Sequence, residues 1–151
     1  MKIAIRVDSS FKIGTGHVMR CITLAKSLRE NGALVLFVCR KHDGNMNQFI
    51  IENGFNVEEL ITLKKNIDEN KIEKDDYKNM LGTSEVEDAE NTIEKIRYFR
   101  PDWVIVDHYS LGIKWEKIVK IYTNRIFVID DIANRRHDCD VLLDQNLYEN
   151  M

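Results

Sequence analysis

The segment KIAIRVDSSFKIGTGHVMRC, Lys2–Cys21, joins a strand pattern to a helix pattern through a loop with two glycines. Its first part, Lys2–Val7, is apolar and contains β-branched residues, which predicts a β-strand that ends at Asp8. From Val18 onward, apolar residues recur at helical spacing until the Asn-Gly pair at 31–32, a common signal for the end of a helix. The segment therefore predicts a strand followed by a helix.

The rest of the chain repeats this alternation. Further strands are predicted at Val35–Cys39, Asn56–Leu60, Trp103–Val106, Ile126–Ile129 and Val141–Leu143, and further helices at Asn45–Asn53, from a capping box at Ser84 to about Phe99, and at Lys114–Tyr122. The polar stretch Lys64–Leu81 is expected to be a surface loop. Continuously apolar strands are typical of a parallel sheet covered on both faces. We therefore predict one domain over residues 1–151, a doubly wound α/β fold whose strand order the sequence does not give.

Composition and charge exclude several classes of protein. The 151 residues are 44% hydrophobic and 31% charged, as in an ordinary globular domain. The net charge of −3 comes from interspersed acids and bases, so no strong field favours nucleic acid or an anionic membrane. The longest apolar run, Ala33–Cys39, is too short to span a bilayer, and the N-terminus lacks the apolar core of a signal peptide. Three cysteines without metal-type spacing are expected to be reduced thiols of a cytoplasmic protein.

Polar side chains collect after three of the predicted strands. The three clusters begin with Asp8, with Asp107-His108-Tyr109, and with Asp130-Asp131. Because parallel strands bring their carboxyl ends to one edge of the sheet, where ligands bind, we expect the clusters to lie together. Tyr109 is either a substrate contact or an aromatic residue at the rim.

The loop with two glycines places a histidine at the start of the first helix. Gly14 and Gly16 allow a tight turn and close approach of a ligand, and the amides at a helix N-terminus suit an anion. Two glycines at this spacing are weak evidence, since the loop is neither a Walker A motif nor a full dinucleotide fingerprint. The helix dipole disfavours the imidazolium form of His17, so a neutral ring is available as a general base. The spacing is equally compatible with a solvated histidine in a turn.

Charged residues near this loop have structural as well as functional interpretations. Arg20 follows one helical turn later, where a cation is unfavourable, so we expect an anionic partner. Asp8 or Asp130 could be that partner, which is favoured over direct contact with a phosphate. Asp107 and Asp130 could bind a metal, or could cap amides and pair with Arg20 and Arg135. The chain lacks tight His-x-His spacing, so a metal site is not favoured.

Four segments resemble the UDP-sugar hydrolases of pseudaminic acid biosynthesis. They are RVDSSFKIGTGHVMRCITLAKSL at 6–28, LGTSEVEDA at 81–89, VIVDHYSLGIKWE at 104–116 and VIDDIANRRHDCDVLLDQN at 128–146. Those enzymes hydrolyse UDP-2,4-diacetamido-2,4,6-trideoxy-β-L-altropyranose to the free sugar and UDP, and are similar in fold to two-domain GT-B glycosyltransferases. The resemblance implies that this chain is the Rossmann-like N-terminal domain, that a C-terminal nucleotide-binding domain belongs to the full protein, and that neither metal nor cofactor is used.

The resemblance also implies roles for individual residues. The histidine of the family's G-x-G-H motif matches His17, implied to be the base that activates water, and the tyrosine of its D-H-Y motif matches Tyr109, a substrate contact. Gly14 and Gly16 match the loop around the sugar diphosphate. The other predicted site residues are Arg20 and His108 as substrate contacts, with Asp8, Asp107 and Asp130 as structural supports.

The chemistry is compatible with a single base. Glycosidases that act on poor leaving groups need two carboxylates, whereas UDP leaves as a stable anion and requires no strong general acid. A glycine loop and a helix dipole can stabilise the departing diphosphate. Two alternatives remain open, a binding half that needs a partner domain for turnover, and a GT-B-type sugar transferase.

Overall fold

A computed structural model describes residues 1–62 and 80–146. Its strands are β1 Lys2–Val7, β2 Leu34–Arg40, β3 Asn56–Leu60, β4 Trp103–Asp107, β5 Arg125–Ile129 and β6 Val141–Leu143. Its helices are α1 Gly16–Glu30, α2 Asn47–Glu52, α3 Glu85–Ile96 and α4 Ile113–Val119, and α4 continues into a 3₁₀ turn at Lys120–Tyr122. Every predicted strand and helix is confirmed within a few residues. Most of the predicted loop at Lys64–Leu81 lies outside the described residues.

The six strands form one parallel sheet in the order β3-β2-β1-β4-β5-β6. This is the order of a doubly wound fold, in which the connections change direction between β1 and β4 and leave a crevice at the strands' carboxyl ends. Ile5 is in register with Ile105, and Val7 with Asp107. Asp8 and the residues that follow β4 are therefore neighbours across this crevice.

Helices cover both faces of the sheet. Alternate residues of each strand point to opposite faces, so β1 contributes Ile3 and Ile5 to one core and Ala4 to the other. The first core contains the buried residues Val18, Cys21, Ile22 and Ala25 of α1 together with Ile50 of α2. The second contains Ala89 and Ile96 of α3 together with Trp115 and Val119 of α4. This arrangement confirms the predicted fold class.

Three further features of the fold concern the N-terminus of α3, the cysteine thiols and the lengths of the helices. The Ser84 hydroxyl accepts a hydrogen bond of 3.1 Å from the Glu87 amide and so caps α3, as predicted. Cys21 and Cys39 are buried free thiols, and burial is the main reason that their pKa values are raised, which makes them poor nucleophiles. In the ranges that the structure describes, no helix has the length and apolar character needed to cross a membrane.

Candidate active site

Two of the three predicted clusters meet at the crevice between β1 and β4. A cavity of about 100 Å³ opens there, and its lining includes His17 from α1 and Tyr109 and Ser110 from the segment after β4. Asp8 and Asp107 lie against the same cavity. The third cluster reaches this site through Asp131, which bonds Arg20, whereas Asp130 is turned toward His137.

The imidazole of His17 is held by a buried carboxylate. Its Nδ1 lies 2.6 Å from Oδ1 of Asp107, whose side chain is fully buried, while 13% of the His17 side chain is exposed. An ionised carboxylate only accepts hydrogen bonds, so Nδ1 carries the proton, and in the neutral ring the lone pair is on Nε2. Nη2 of Arg20 also lies 3.3 Å from this Nδ1, which in that tautomer is a contact and not a hydrogen bond. No described side chain bonds Nε2, and Tyr109 packs edge-on against the ring with 4.5 Å between centroids. A histidine fixed on one nitrogen and available on the other is arranged as a general base.

Asp107 receives donors from the first turns of α1 at both of its oxygens. Oδ1 accepts from His17 and, at 2.6 Å, from Arg20, while Oδ2 accepts from Arg20 at 2.5 Å and from the Cys21 thiol at 3.5 Å. Burial alone would raise the pKa of Asp107, but the hydrogen bonds from Arg20 and His17 outweigh it and lower the pKa. Asp107 therefore stays ionised and anchors the start of α1 to the end of β4.

Arg20 pairs with Asp107, as the structural interpretation of that carboxylate allowed, and not with the two partners named first for it. We expected Asp8 or Asp130, but its guanidinium bonds Asp107 and Asp131, and it also donates to Oε1 of Gln145 at 3.2 Å. The reason is the strand order, since β4 lies next to β1 and its terminal carboxylate comes under the first turn of α1. With these bonds made, the guanidinium has no pair of N–H groups left to bind a phosphate. The geometry therefore argues against the predicted contact between Arg20 and substrate.

Asp8 and His108 form a second pair at the base of the cavity. Asp8 is buried and accepts from Nε2 of His108 at 2.8 Å, from Nε2 of His42 at 3.0 Å and from the Arg40 amide at 2.7 Å. Burial would raise its pKa, but the nearby Arg6 guanidinium and His108 keep that pKa well below its usual value. Nδ1 of His108 accepts from the Ser110 amide at 3.0 Å, so both of its ring nitrogens are used inside the protein. A direct contact of His108 with substrate stays a prediction, and only the carbon edge of the ring is left to make it. In the parts of the chain described, no three His, Cys, Asp or Glu side chains are grouped to hold a metal ion.

A buried ionic network beneath Asp8 was missed in the sequence. Arg6 of β1 bonds Asp8 and also Asp88 of α3, and Arg40 of β2 bonds Oδ2 of Asp88 at 2.8 Å. The indole of Trp115 donates to Oδ1 of Asp88 at 2.9 Å. Arg6 and Arg40 are the signal that could have revealed this network, because each is a charged residue near the carboxyl end of a strand whose interior is otherwise apolar. A buried charge of this kind requires a partner.

Asp130 belongs to a second arrangement that the sequence did not reveal. Its carboxylate accepts from Nε2 of His137 at 2.7 Å, and Nδ1 of the same ring donates to Glu116 of α4 at 2.7 Å. Asp130 also accepts from the amides of Ile132 and Ala133 and lies 3.6 Å from Arg135. Asp130 thus caps amides and pairs with Arg135, as the structural interpretation expected, and it does not line the cavity.

The two glycines of the loop differ in what requires them. Gly14 has a φ of +81°, which is in the left-handed region, and its amide closes the turn by donating to the Ser10 carbonyl at 2.8 Å. No atom would contact a Cβ on Gly16 within 4 Å, so neither conformation nor packing requires glycine there. The Thr15 side chain does not cap α1, which leaves the first amides of the helix for a ligand or solvent. The open space beside Gly16 is compatible with close approach of an anion.

Sequence comparisons with known proteins find a UDP-sugar hydrolase among the similar proteins. No protein-family model matches the chain. It is 28% identical over 148 residues to the UDP-2,4-diacetamido-2,4,6-trideoxy-beta-L-altropyranose hydrolase of Campylobacter jejuni, an alignment that covers 98% of this chain and 43% of that protein. It is also 28% identical over 131 residues to an uncharacterized protein of Methanocaldococcus jannaschii, covering 87% of this chain and 22% of that protein.

Among solved structures, the crystal structure of LpCGTa in complex with UDP aligns with a TM-score of 0.49 and 15% identity, over 85% of this chain and 30% of that chain. The chain spans less than half the length of the curated relatives it matches. The resemblance read from its motifs is confirmed at the level of sequence. Over almost its whole length, the chain is similar to part of a UDP-sugar hydrolase.

Proposed function

We propose that the protein containing this chain hydrolyses a UDP-linked 2,4-diacetamido-2,4,6-trideoxy-hexose to the free sugar and UDP, as a step of pseudaminic acid biosynthesis. The observation that carries the proposal is the His17–Asp107 pair, in which Nε2 of the imidazole has no partner among the described residues and lies at a cavity in the crevice of the sheet. The similarity to the hydrolase of Campylobacter jejuni supports the substrate class.

The chemical step needs one base. Nε2 of His17 accepts a proton from water while the water oxygen forms a bond to the anomeric carbon of the sugar. The bond between that carbon and the diphosphate oxygen breaks, and UDP leaves with the electron pair. Asp107 stabilises the imidazolium that forms, as the carboxylate does in a catalytic triad, and the proton then passes to solvent.

The leaving group makes a general acid unnecessary. UDP departs as a stable anion, and the amides at the N-terminus of α1, with the loop containing Gly14 and Gly16, are placed to stabilise its charge. Arg20 is assigned to positioning in this proposal, because its guanidinium is already bonded to Asp107, Asp131 and Gln145.

A second domain completes the proposed enzyme. The chain covers 43% of the length of the hydrolase it resembles, so we place residues 1–151 as one Rossmann-like domain and assign the uridine to a C-terminal nucleotide-binding domain. Substrate would then lie between that domain and the crevice of this one.

Isotope labelling of the full-length protein tests the site of attack. In ¹⁸O water, attack at carbon places the label in the released sugar. Label in the phosphate of UDP would refute the proposal. A rate of UDP release that depends on an added acceptor sugar would instead indicate a transferase.

A binding half without turnover of its own is the second candidate, favoured by the short span relative to the hydrolase. Calorimetric titration of the isolated chain with the UDP-sugar, followed by product analysis, separates the two. Binding without product favours this candidate, and robust turnover by the chain alone rejects it.

A further inference from the structure

The cavity beside His17 is too small to enclose a whole nucleotide sugar. Its volume is about 100 Å³. Pockets that enclose an entire small ligand measure roughly 300–1,000 Å³. It therefore has room for one substituent of a ligand whose remainder lies outside it.

The electrostatics of the lining exclude an anionic substituent. The carboxylates of Asp8 and Asp107 lie against the cavity, and the pKa of each is lowered by its cationic neighbours despite burial. The guanidiniums of Arg6 and Arg20 bond these carboxylates. A phosphate placed here would meet two ionised carboxylates and no unbonded cation of the described residues, so the cavity favours a neutral group.

Ser110 provides a polar group that the fold leaves unused. Its side chain lines the cavity and is only 7% exposed, and its Oγ has no hydrogen-bond partner among the described residues. A buried hydroxyl without a partner costs about 1–3 kcal/mol, so an orphan beside a candidate site calls for an explanation. A serine side chain rotates between staggered χ1 positions, and this rotation can turn the hydroxyl toward a ligand.

Apart from His17 and His108, the rest of the lining is mainly apolar. Ile13 comes from the loop before α1, Met80 from the segment before α3, and the Tyr109 ring packs against His17. A group that fits must therefore offer a small apolar end and one hydrogen-bonding atom. An N-acetyl group, with a methyl and an amide, has both.

We infer that this cavity is the subsite for an N-acetyl group of the sugar and that Ser110 determines its selectivity by a hydrogen bond to the amide. The inference rests on the proposed function for the identity of the sugar. It adds a substrate contact that the motifs did not indicate. It also places the reacting sugar against His17, since both side chains line the same cavity.

The test compares N-acyl groups of two sizes on the full-length protein. The UDP-diacetamido sugar and its N-propanoyl analogue are assayed as competing substrates. Wild type is expected to prefer the acetyl form, and Ser110→Ala to lose about tenfold in kcat/KM for it, the factor for one hydrogen bond. Ser110→Gly, which enlarges the cavity, is expected to narrow the preference for acetyl over propanoyl.

Ser9→Ala is the matched control. Ser9 is a buried serine whose hydroxyl accepts a bond of 2.8 Å from the Met46 amide and which is absent from the cavity lining. We expect Ser9→Ala to lower the unfolding temperature and leave the acyl preference unchanged. Ser110→Ala should keep or raise that temperature, because it removes an unpaired buried hydroxyl. An unchanged kcat/KM in Ser110→Ala together with an unchanged acyl preference in Ser110→Gly would overturn the inference, as would a loss of stability in Ser110→Ala like that of the control.

A readout that does not need turnover separates this inference from the proposed function. Saturation-transfer NMR on the complete protein with the UDP-diacetamido sugar should show the strongest transfer to an acetyl methyl, and Ser110→Val should remove it. Such transfer without hydrolysis supports the subsite and refutes the hydrolase. Hydrolysis with saturation confined to the uracil refutes the subsite alone.

Discussion

His17 and His137 are both held by buried carboxylates, yet the two arrangements differ at the second ring nitrogen. His17 bonds Asp107 through Nδ1 only, and 13% of its side chain is exposed at the cavity. His137 bonds Glu116 through Nδ1 and Asp130 through Nε2, both at 2.7 Å, and only 5% of its side chain is exposed.

The number of carboxylates decides what each ring can do. One carboxylate fixes a tautomer and leaves a lone pair for chemistry. Two carboxylates require both nitrogens to donate, so the ring between them is an imidazolium that cross-links α4 to the segment after β5. The hydrogen bond to Glu116 is the main reason that the pKa of His137 is raised, and burial opposes it. We therefore expect chemistry from His17 and stability from His137.

The largest effect is expected at His17. In the full-length protein, His17→Phe removes the base and should lower kcat by at least about 10³-fold, within the range attributed to general bases. Binding of the UDP-sugar, measured by calorimetry, should stay close to wild type. His137→Gln is the control, with near-normal turnover and a lower unfolding temperature. Wild-type rates in His17→Phe would end the assignment of the base.

Asp107→Asn tests whether the carboxylate fixes the tautomer. An amide at this position can donate to Nδ1 of His17, which moves the imidazole proton to Nε2 and blocks the base. We expect kcat to fall by about 10²-fold, the lower end of the range for general acid–base catalysis, with a smaller change in KM. Asp102→Asn, at the opposite edge of the sheet where its Oδ2 accepts from the Lys2 amide at 2.7 Å, should leave kcat unchanged. Equal kcat values for the two variants would contradict the role of Asp107.

The arrangement of His137, which is bonded at both ring nitrogens, should make the stability of the protein depend on pH. The folded pKa of His137 is raised, so its stabilisation is full below the unfolded value of about 6.5 and is lost as the pH rises through the folded value. The pKa of Asp130 is lowered despite burial, chiefly by its bond with His137, so its contribution is lost only as the pH falls through that lower value. Glu116 and Arg135 are the other charged groups that face the pair.

Urea unfolding of wild type and His137→Gln from pH 5 to 9 measures this effect. The difference in free energy of unfolding should be about 2 kcal/mol near pH 6, the scale of a hydrogen bond between charged groups, and should shrink at higher pH. A difference that is constant across this range would show that the ring contributes packing alone.

The sequence predicted the fold well because its main signal is local. Apolar strands such as Val35–Cys39 and the helical spacing after Val18 reveal the elements and the parallel sheet. The order of the strands is not local information, since all six present similar apolar patterns. That gap left the partner of Arg20 open among Asp8, Asp107 and Asp130, because the partner depends on which strand lies beside β1.

The candidate site also combines residues that a local sequence signal reveals with residues that only non-local contacts reveal. His17 could be found because it stands in a glycine loop at the start of a helix. The network of Arg6, Asp88 and Arg40 could not be assembled, because its members come from three elements whose contacts the sequence does not give. A charge inside an apolar strand indicates that a partner exists without indicating which one. Nothing in the sequence marks Ser110, because it stands out only by the hydrogen-bond partner that its hydroxyl lacks among the described residues.

The smallest effect is expected for Arg20→Lys, which distinguishes positioning from substrate binding. A lysine keeps the charge but cannot bond both oxygens of Asp107 and also reach Asp131, so the His17–Asp107 pair loses its brace. We expect kcat to fall by about tenfold with KM unchanged, and Arg20→Gln to lower kcat further, because it also removes the charge beside two carboxylates. Steady-state kinetics of both variants on the full-length protein measure the split. A rise in KM at constant kcat would instead show that Arg20 binds the diphosphate of the substrate. The structure argues against that interpretation, because a guanidinium that binds substrate must first release Asp107, which holds the imidazole of His17.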